Sequence, residues 1–469
     1  MPEPAMDDDE GRILAVRDVD VDVGGLPRAF VSELIAFPRG GIGLVTALLS
    51  DRVTVARLDR EEVNVGELVR CTHRHAEVPV GARLRGRIVD PIGRSFDGRG
   101  TTGDRARRLF GRPLKRVSRD LHFGEPVWTG WKRIDLFARV REGERRAIRG
   151  PRGSGKTRLA LDMVIEQARL GVHCVYVTVG RDEQQMARLV QTLVDEGALE
   201  ATTIVAAPSG SPPTLAALAP FAGCALGEQI RDDRERALLV FDDLEAHAQA
   251  FRRSPLFAAT SLEATWCALL DRACIVRHER GSGALTSVIL VDTGTPALDE
   301  LAVAIDASCD GAIVLTPSST GLSVDLAHTF PVQRFGAPLK GWGGRLAGWL
   351  VAHVKKGANA PSARPLRPLS PIEEKLEGAS DRLLSILEQS RRMPVEEQVA
   401  AVYAVVSGMA DEVPRELLAT YETQLLAHLR ETQGSLLRTI RDIGGVSGDM
   451  KETLATILHG FRARSPYEA

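Results

Sequence analysis

The chain has 469 residues, 44% hydrophobic and 26% charged, which is an ordinary globular balance and excludes a disordered chain. Lys plus Arg (60) nearly equals Asp plus Glu (62), a net charge of −2, so the basic excess of a nucleic-acid-binding protein is lacking. No apolar run reaches the ~18 residues of a membrane span, and the acidic start MPEPAMDDDEGR resembles neither a secretory signal nor a transit peptide.

Residues 11–100 read as strands. Val19-Asp-Val21-Asp-Val23 alternates as a half-buried strand does. Short apolar runs at 42–49, 53–58 and 84–89 are separated by glycine-rich turns, which predicts a small barrel over about 10–90. Cys71, His73 and His75 alternate on one such strand, but no further metal ligand is near, so they are read as ordinary strand residues. The six cysteines show no C-x₂-C spacing, and a reducing compartment is expected.

Residues 120–345 change character, within a second domain placed at 91–356. Apolar runs at 146–149, 172–179, 204–206, 237–241, 287–291 and 312–315 alternate with helical stretches. That pattern predicts a parallel sheet covered on both faces, an α/β domain. Residues 357–371 (GANAPSARPLRPLSP) read as a linker, and 372–465 as a helical domain with apolar positions at helical spacing.

The chemistry starts at Gly150-Pro151-Arg152-Gly153-Ser154-Gly155-Lys156-Thr157, which fits G-x₄-G-K-[ST] between a strand and a helix. Such a loop wraps phosphates with backbone N–H groups, Lys156 neutralises the terminal phosphates of ATP or ADP, and the Thr157 hydroxyl ligates Mg²⁺. A second Mg²⁺ partner should end a later apolar strand, and Asp242, after Ala237–Phe241, does so. An Asp at that place also caps helices, so it is the pairing with the loop that gives it meaning.

Several stretches together resemble the α-subunit of the F-type rotary ATP synthase. They are Val78-Pro-Val-Gly81 with 86-GRIVDPIGRSFDGRG-100, then Glu125-Pro126 with Thr129-Gly130 and Ile134-Asp135. The run 215-LAALAPFAGCALGEQIRDDRERALLVFDDLEAHAQAFR-252 and the block 394-PVEEQVAAVYAVVSGMADEVP-414 complete the set. The similarity covers roughly residues 10–460, and the last block separates α-type chains from β-type, flagellar and secretion relatives. The resemblance implies an N-terminal β-barrel, a central RecA-like P-loop α/β domain and a C-terminal α-helical bundle. It also implies an α3β3 ring with β subunits around a γ subunit, on the cytoplasmic face of a bacterial inner membrane, touching the membrane only through the complex. In that family the α-subunit holds nucleotide without turning it over and lends an arginine to the β site, and the complex couples ATP synthesis or hydrolysis to proton, or sodium, transport.

Three positions sharpen the expectation. Catalytic β-type relatives carry Glu directly after the V-G that ends the strand following the phosphate loop, and α-type chains carry Gln. Here 175-VYVTVGRDEQQ-185 puts Arg181 there, and a cation cannot take a proton from water; Glu183 lies two residues on, off the motif. For the arginine lent to β, literal text (321-GLSVDL-326) offers Leu326. Spacing from Asp310-Gly311 instead favours 332-VQRFG-336 and Arg334, 24 residues after Asp310. Near the adenine, the family's glutamines correspond to Gln389 and Arg391.

The chain also departs from the family. Its phosphate loop has Pro151, Gly153 and Ser154 where the α pattern has Asp, Gln and Thr, and Pro151 removes one N–H donor. No amphipathic helix precedes the barrel, which leaves attachment to the peripheral stalk open. Residues 253-RSPLFAATSLEATW-266 replace one intersubunit run, and 357–371 stands where the F-G-S-D-L-D stretch near γ is expected. Two other readings stay open: a self-sufficient ring ATPase (a translocase or a Rho-type helicase), and a regulatory nucleotide sensor outside the rotary complex.

Overall fold

The computed structural model describes residues 8–100, 105–110, 124–278, 281–317, 323–324, 330–331, 385–387, 389, 391–443 and 448–462. Arg334 and the expected linker at 357–371 lie outside these residues. The chain divides into two compact units. One spans Met1–Glu125, Arg141–Arg152 and Lys156–Ala312, the other Pro126–Val140, Gly153–Gly155 and Ile313–Ala469. Among the described residues, no helix is long and apolar enough to cross a membrane.

The first unit opens with a closed six-stranded antiparallel barrel. Its strands are Glu10–Val16, Asp20–Gly24, Glu33–Ala36, Ile42–Leu48, Val53–Arg57 and Leu68–His75. Closure leaves no sheet edge exposed. Ile13, Val21, Val23, Ile35, Val45, Val55 and Val69 fill its interior. The simple alternation expected around Val21 is only half right. Asp20 and Asp22 are also buried, because the Arg17 guanidinium lies over them at 2.6 Å from each carboxylate. Cys71 is buried in the wall, where burial, helped by the Glu33 charge, pushes its thiol up to about 12. His73 takes a positive φ of 54°, which breaks the alternation assumed for Cys71, His73 and His75.

The barrel ends earlier than expected. After Gly81 a 3₁₀ turn (Ala82–Leu84) redirects the chain, and Ile88–Val89 pairs in parallel with Thr202–Ala207. Ile88–Val89, the end of the apolar run at 84–89, therefore belongs to the edge of the central sheet, not to the barrel. A two-residue edge strand and a barrel strand are equally apolar, so composition could not separate them.

The central sheet is parallel in the order Arg145–Gly150, Gly281–Asp292, Arg236–Asp242, His173–Val179, Thr202–Ala207, Ile88–Val89. All the apolar runs predicted between 146 and 291 are strands. The missed element is Cys274–His278, which pairs antiparallel with the first half of Gly281–Asp292. Helices Lys156–Arg169, Glu183–Asp195, Pro213–Asp232 and Leu244–Arg253 connect the strands. Pro213–Asp232 is buried over most of its length, as its apolar residues all round require. Asp182 starts the helix Glu183–Asp195 in a capping box with Gln185.

In the second unit, helices Val395–Val406, Leu418–Thr432, Gly434–Ile443 and Gly448–Arg462 share one core. The segment at 129–135 is tied by Asp135. Its carboxylate accepts from Thr129 N (2.9 Å), Thr129 Oγ1 (2.9 Å), Gly130 N (3.1 Å) and Gln398 Nε2 (3.0 Å). That is the physical content of the T-G-x-x-x-I-D pattern: a buried carboxylate holding a tight turn. Lys132 is also buried, with its ammonium on Glu422 Oε1 at 2.5 Å and on the Ile386 carbonyl.

Two buried histidines of the first unit make its stability depend on pH. His173 Nε2 donates to Thr203 Oγ1 (2.9 Å), because that hydroxyl spends its own proton on the Leu84 carbonyl. His247 Nε2 donates to the Ala217 carbonyl at 3.2 Å. Burial, with a smaller push from the Arg85 charge, brings His173 down to about 4, and burial also brings His247 down to about 4. The unfolded chain binds these protons near pH 6.5 and the folded chain does not. Stability is therefore fully present above pH 6.5 and falls as pH drops from 6.5 to 4, by up to about 3 kcal/mol per histidine. Urea midpoints measured across that range should fall in the native chain, and His173→Gln or His247→Leu should each flatten part of the slope.

Candidate functional site

The carboxyl ends of parallel strands meet at one edge of the sheet, where ligands bind in open α/β folds. The phosphate loop leaves Gly150 at that edge, and Gly150 is in register with Asp292, the last residue of its neighbour strand. Asp242 ends the next strand over, in register with Thr178 of His173–Val179. Arg181 follows that strand directly after Gly180. Topology thus gathers Lys156, Thr157, Arg181, Asp242 and Asp292 from four strand ends.

Gly180 is the hinge of this arrangement. Its φ is +77°, and a Cβ built there would stand 2.6 Å from the Ala246 Cβ. Only glycine takes this backbone at no cost and leaves that room. The turn brings Arg181 back over the sheet edge.

Asp242 is buried, and its Oδ2 is crowded with donors. It accepts from Tyr176 OH at 2.6 Å and from Thr157 Oγ1 at 3.2 Å, and it forms an ion pair with Arg181 Nη2. The same Nη2 lies 3.4 Å from Thr157 Oγ1. Burial pushes the Tyr176 hydroxyl well above its usual range and the Asp242 charge adds to it, so the phenol stays a donor. Burial is the largest single influence on Arg181 and would lower it, but the Asp242 charge and hydrogen bond together with Tyr176 and Asp243 outweigh it, and the net direction is up. Arg181 is a permanent cation here. The neighbouring Asp243 caps the helix Leu244–Arg253, accepting from Glu245 N (2.7 Å) and Ala246 N (3.2 Å).

Lys156 is equally committed. Its ammonium donates to the Gly150 and Pro151 carbonyls, each at 2.9 Å, and pairs with Asp292 Oδ1 at 2.5 Å. Asp292 was not foreseen, although it ends an apolar strand just as Asp242 does; the rule used to find Asp242 selects both. Arg152 reaches from the loop to Glu245 at 2.5 Å. Gly153 and Gly155 have φ of +78° and +94°, the conformations that aim successive N–H groups inward. Ser154 is buried, and its Oγ has no hydrogen-bond partner among the described residues.

Thr157 and Asp242 are the hard-oxygen pair expected to hold Mg²⁺. They do lie together, but the arrangement does not fit the ion. The guanidinium of Arg181 already bridges both oxygens. A divalent ion about 4 Å from that charge is opposed by roughly 8 kcal/mol at an effective dielectric near 20. Sequence position alone marks Arg181 as a cation where an acceptor is needed; only the fold shows that it occupies the ligand pair.

Glu183 is exposed on the first turn of its helix. Gln389, expected near an adenine, lies in the second unit with its amide in use at both ends. Its Oε1 accepts from Lys132 N (2.9 Å), and its Nε2 donates to Gly130 O (2.7 Å) and Arg391 O (2.6 Å). In this structure it clamps the backbone at 130–132, and both of its amide N–H donors are spent on carbonyls.

Tyr176 offers a direct check on the cluster. Tyr176→Phe removes a buried hydrogen bond to a charged group and should cost about 1.5–3 kcal/mol in urea denaturation. An unchanged midpoint would show that its hydroxyl does not reach Asp242.

Comparison with known families now bears on these contacts. A model of the nucleotide-binding domain of the ATP synthase alpha/beta family matches residues 130–322, which includes the phosphate loop, Arg181, Asp242 and Asp292. A model of the C-terminal domain of the ATP synthase alpha/beta chain matches residues 378–461, the helical region. The two matches together cover more than half of the chain, and the closed barrel, parallel sheet and helical region are the architecture the resemblance implied. The strand-end cluster thus lies within a nucleotide-binding domain, and the chain belongs to the ATP synthase alpha/beta family.

Proposed function

We propose that this chain is an α-type subunit that holds ATP or ADP without hydrolysing it and completes the catalytic site of a β-type neighbour. The observation that carries the reading is Arg181. Hydrolysis requires an acceptor that orients and polarises the attacking water. The residue at that place is a cation, and its side chain is tied to Asp242 and Thr157. Asp182, the next residue, is spent capping a helix through Gln185 N, and Glu183 is exposed on the first turn of that helix. The α-type helical block at 394–414 supports the same assignment.

The residues proposed to hold the nucleotide are the loop Gly150–Thr157, with Lys156 exchanging Asp292 for a phosphate. The Mg²⁺ expected from Thr157 and Asp242 is not carried into this reading, since a guanidinium occupies the pair. Gln389 is likewise left out, because its amide is spent on backbone. In an assembled ring of α- and β-type subunits around a γ-type shaft, Arg334 is the residue proposed to stabilise charge on the phosphoryl group at the β site. The complex is peripheral to a membrane whose ion gradient it exchanges with ATP.

The purified chain should bind ATP and show no turnover above background, and Lys156→Ala should abolish binding. Reconstituted with a β-type partner, the ring should hydrolyse ATP, and Arg334→Ala should lower turnover by about 10³-fold or more while leaving assembly intact by size-exclusion chromatography. Robust hydrolysis by the isolated chain would instead establish a self-sufficient ATPase.

A further inference from the structure

We propose that Arg181 takes the place of the divalent cation, so that this site holds a nucleoside di- or triphosphate without a bound metal ion. The inference rests on the nucleotide-holding reading and concerns how the phosphate charge is met.

The geometry is that of a bridging cation. One guanidinium nitrogen contacts both the hydroxyl of Thr157 and the carboxylate of Asp242. These are the two oxygens that would otherwise ligate a metal. Asp242 Oδ2 also receives the Tyr176 hydroxyl at 2.6 Å, so three protein donors converge on that one oxygen. Tyr176 is fully buried and Asp242 nearly so, which fixes the anchor of the guanidinium. The turn at Gly180, packed on Ala246, fixes its approach.

The guanidinium also has a donor to spare. Arg181 Nε is buried and has no hydrogen-bond partner among the described residues. A planar guanidinium held at one edge presents its remaining N–H groups in a plane, the pattern that matches phosphate oxygens. Ser154 Oγ, inside the loop and likewise without a partner among the described residues, is a second unspent polar group. With Lys156 released from Asp292, the loop would face the polyphosphate with two cations from the chain itself. A metal ion arriving with the nucleotide would have to displace Arg181 from Asp242 and leave that cation buried beside a doubly charged one.

The test is the affinity of the full chain, stripped of nucleotide, for ATP and ADP by equilibrium dialysis, in EDTA and in excess Mg²⁺. In solution Mg²⁺ sequesters the free triphosphate, so the native chain should bind ATP in EDTA as tightly as in Mg²⁺ or more tightly. Arg181→Gln, which restores a neutral side chain beside Thr157 and Asp242, should bind at least about tenfold more tightly in Mg²⁺ than in EDTA, a coupling of ordinary size between two ligands. Binding by the native chain that is tenfold or more stronger in Mg²⁺ overturns the inference and leaves the nucleotide-holding reading standing. No binding in either condition overturns both. The native comparison decides the matter by itself if the variant does not fold.

Discussion

The contact between Arg181 and Asp242 organises everything at the sheet edge. A carboxylate this buried cannot remain without a counter-charge, since an unpaired charge in a low-dielectric site is expensive. Here it is built in. Once Asp242 is compensated from within, Thr157 is held by the same bridge, Tyr176 is fixed as a donor, and Arg181 is removed from any part in activating water. The proposed absence of hydrolysis and the proposed metal-free binding both rest on this one residue, Arg181.

Much of this was legible in the sequence, and what was not has identifiable reasons. The phosphate loop is a local pattern of glycines, lysine and threonine, so its position follows from adjacent residues alone. Asp242 was found by a rule about strand ends. Asp292 obeys the same rule but has no motif to announce it, and only the register with Gly150 shows that it meets Lys156. Tyr176 sits inside an apolar run, where a tyrosine reads as core. Its hydroxyl matters only because the neighbouring strand places Asp242 beside Thr178, two residues along the same face. The barrel boundary failed for a different reason. Ile88–Val89 is apolar in either setting, and the 3₁₀ turn that removes it from the barrel leaves no compositional mark.

The second unit shows how a family pattern can encode scaffolding. Thr129, Gly130 and Asp135 form a closed set of hydrogen bonds, joined by Gln398 from the helical region. Gln389 joins the same turn through backbone groups at 130 and 132. Lys132 and Glu422 add a buried pair whose separation would strand a charge in the core. Gln389, which motif position connects with ligand recognition, here also ties the entry segment to the chain that precedes the helices.

The hold of Asp292 on Lys156 gives the loop a kinetic character as well. A lysine resting on its own carboxylate and two loop carbonyls does not attract a phosphate as a bare cation does. Arrival of a nucleotide is an exchange of one anion for another, and so is its departure. Both directions pass through a moment when the ammonium has left one partner and not yet gained the other. Under the proposed reading Lys156 is a bare cation in neither state: it rests on a phosphate when the loop is filled and on Asp292 when it is not.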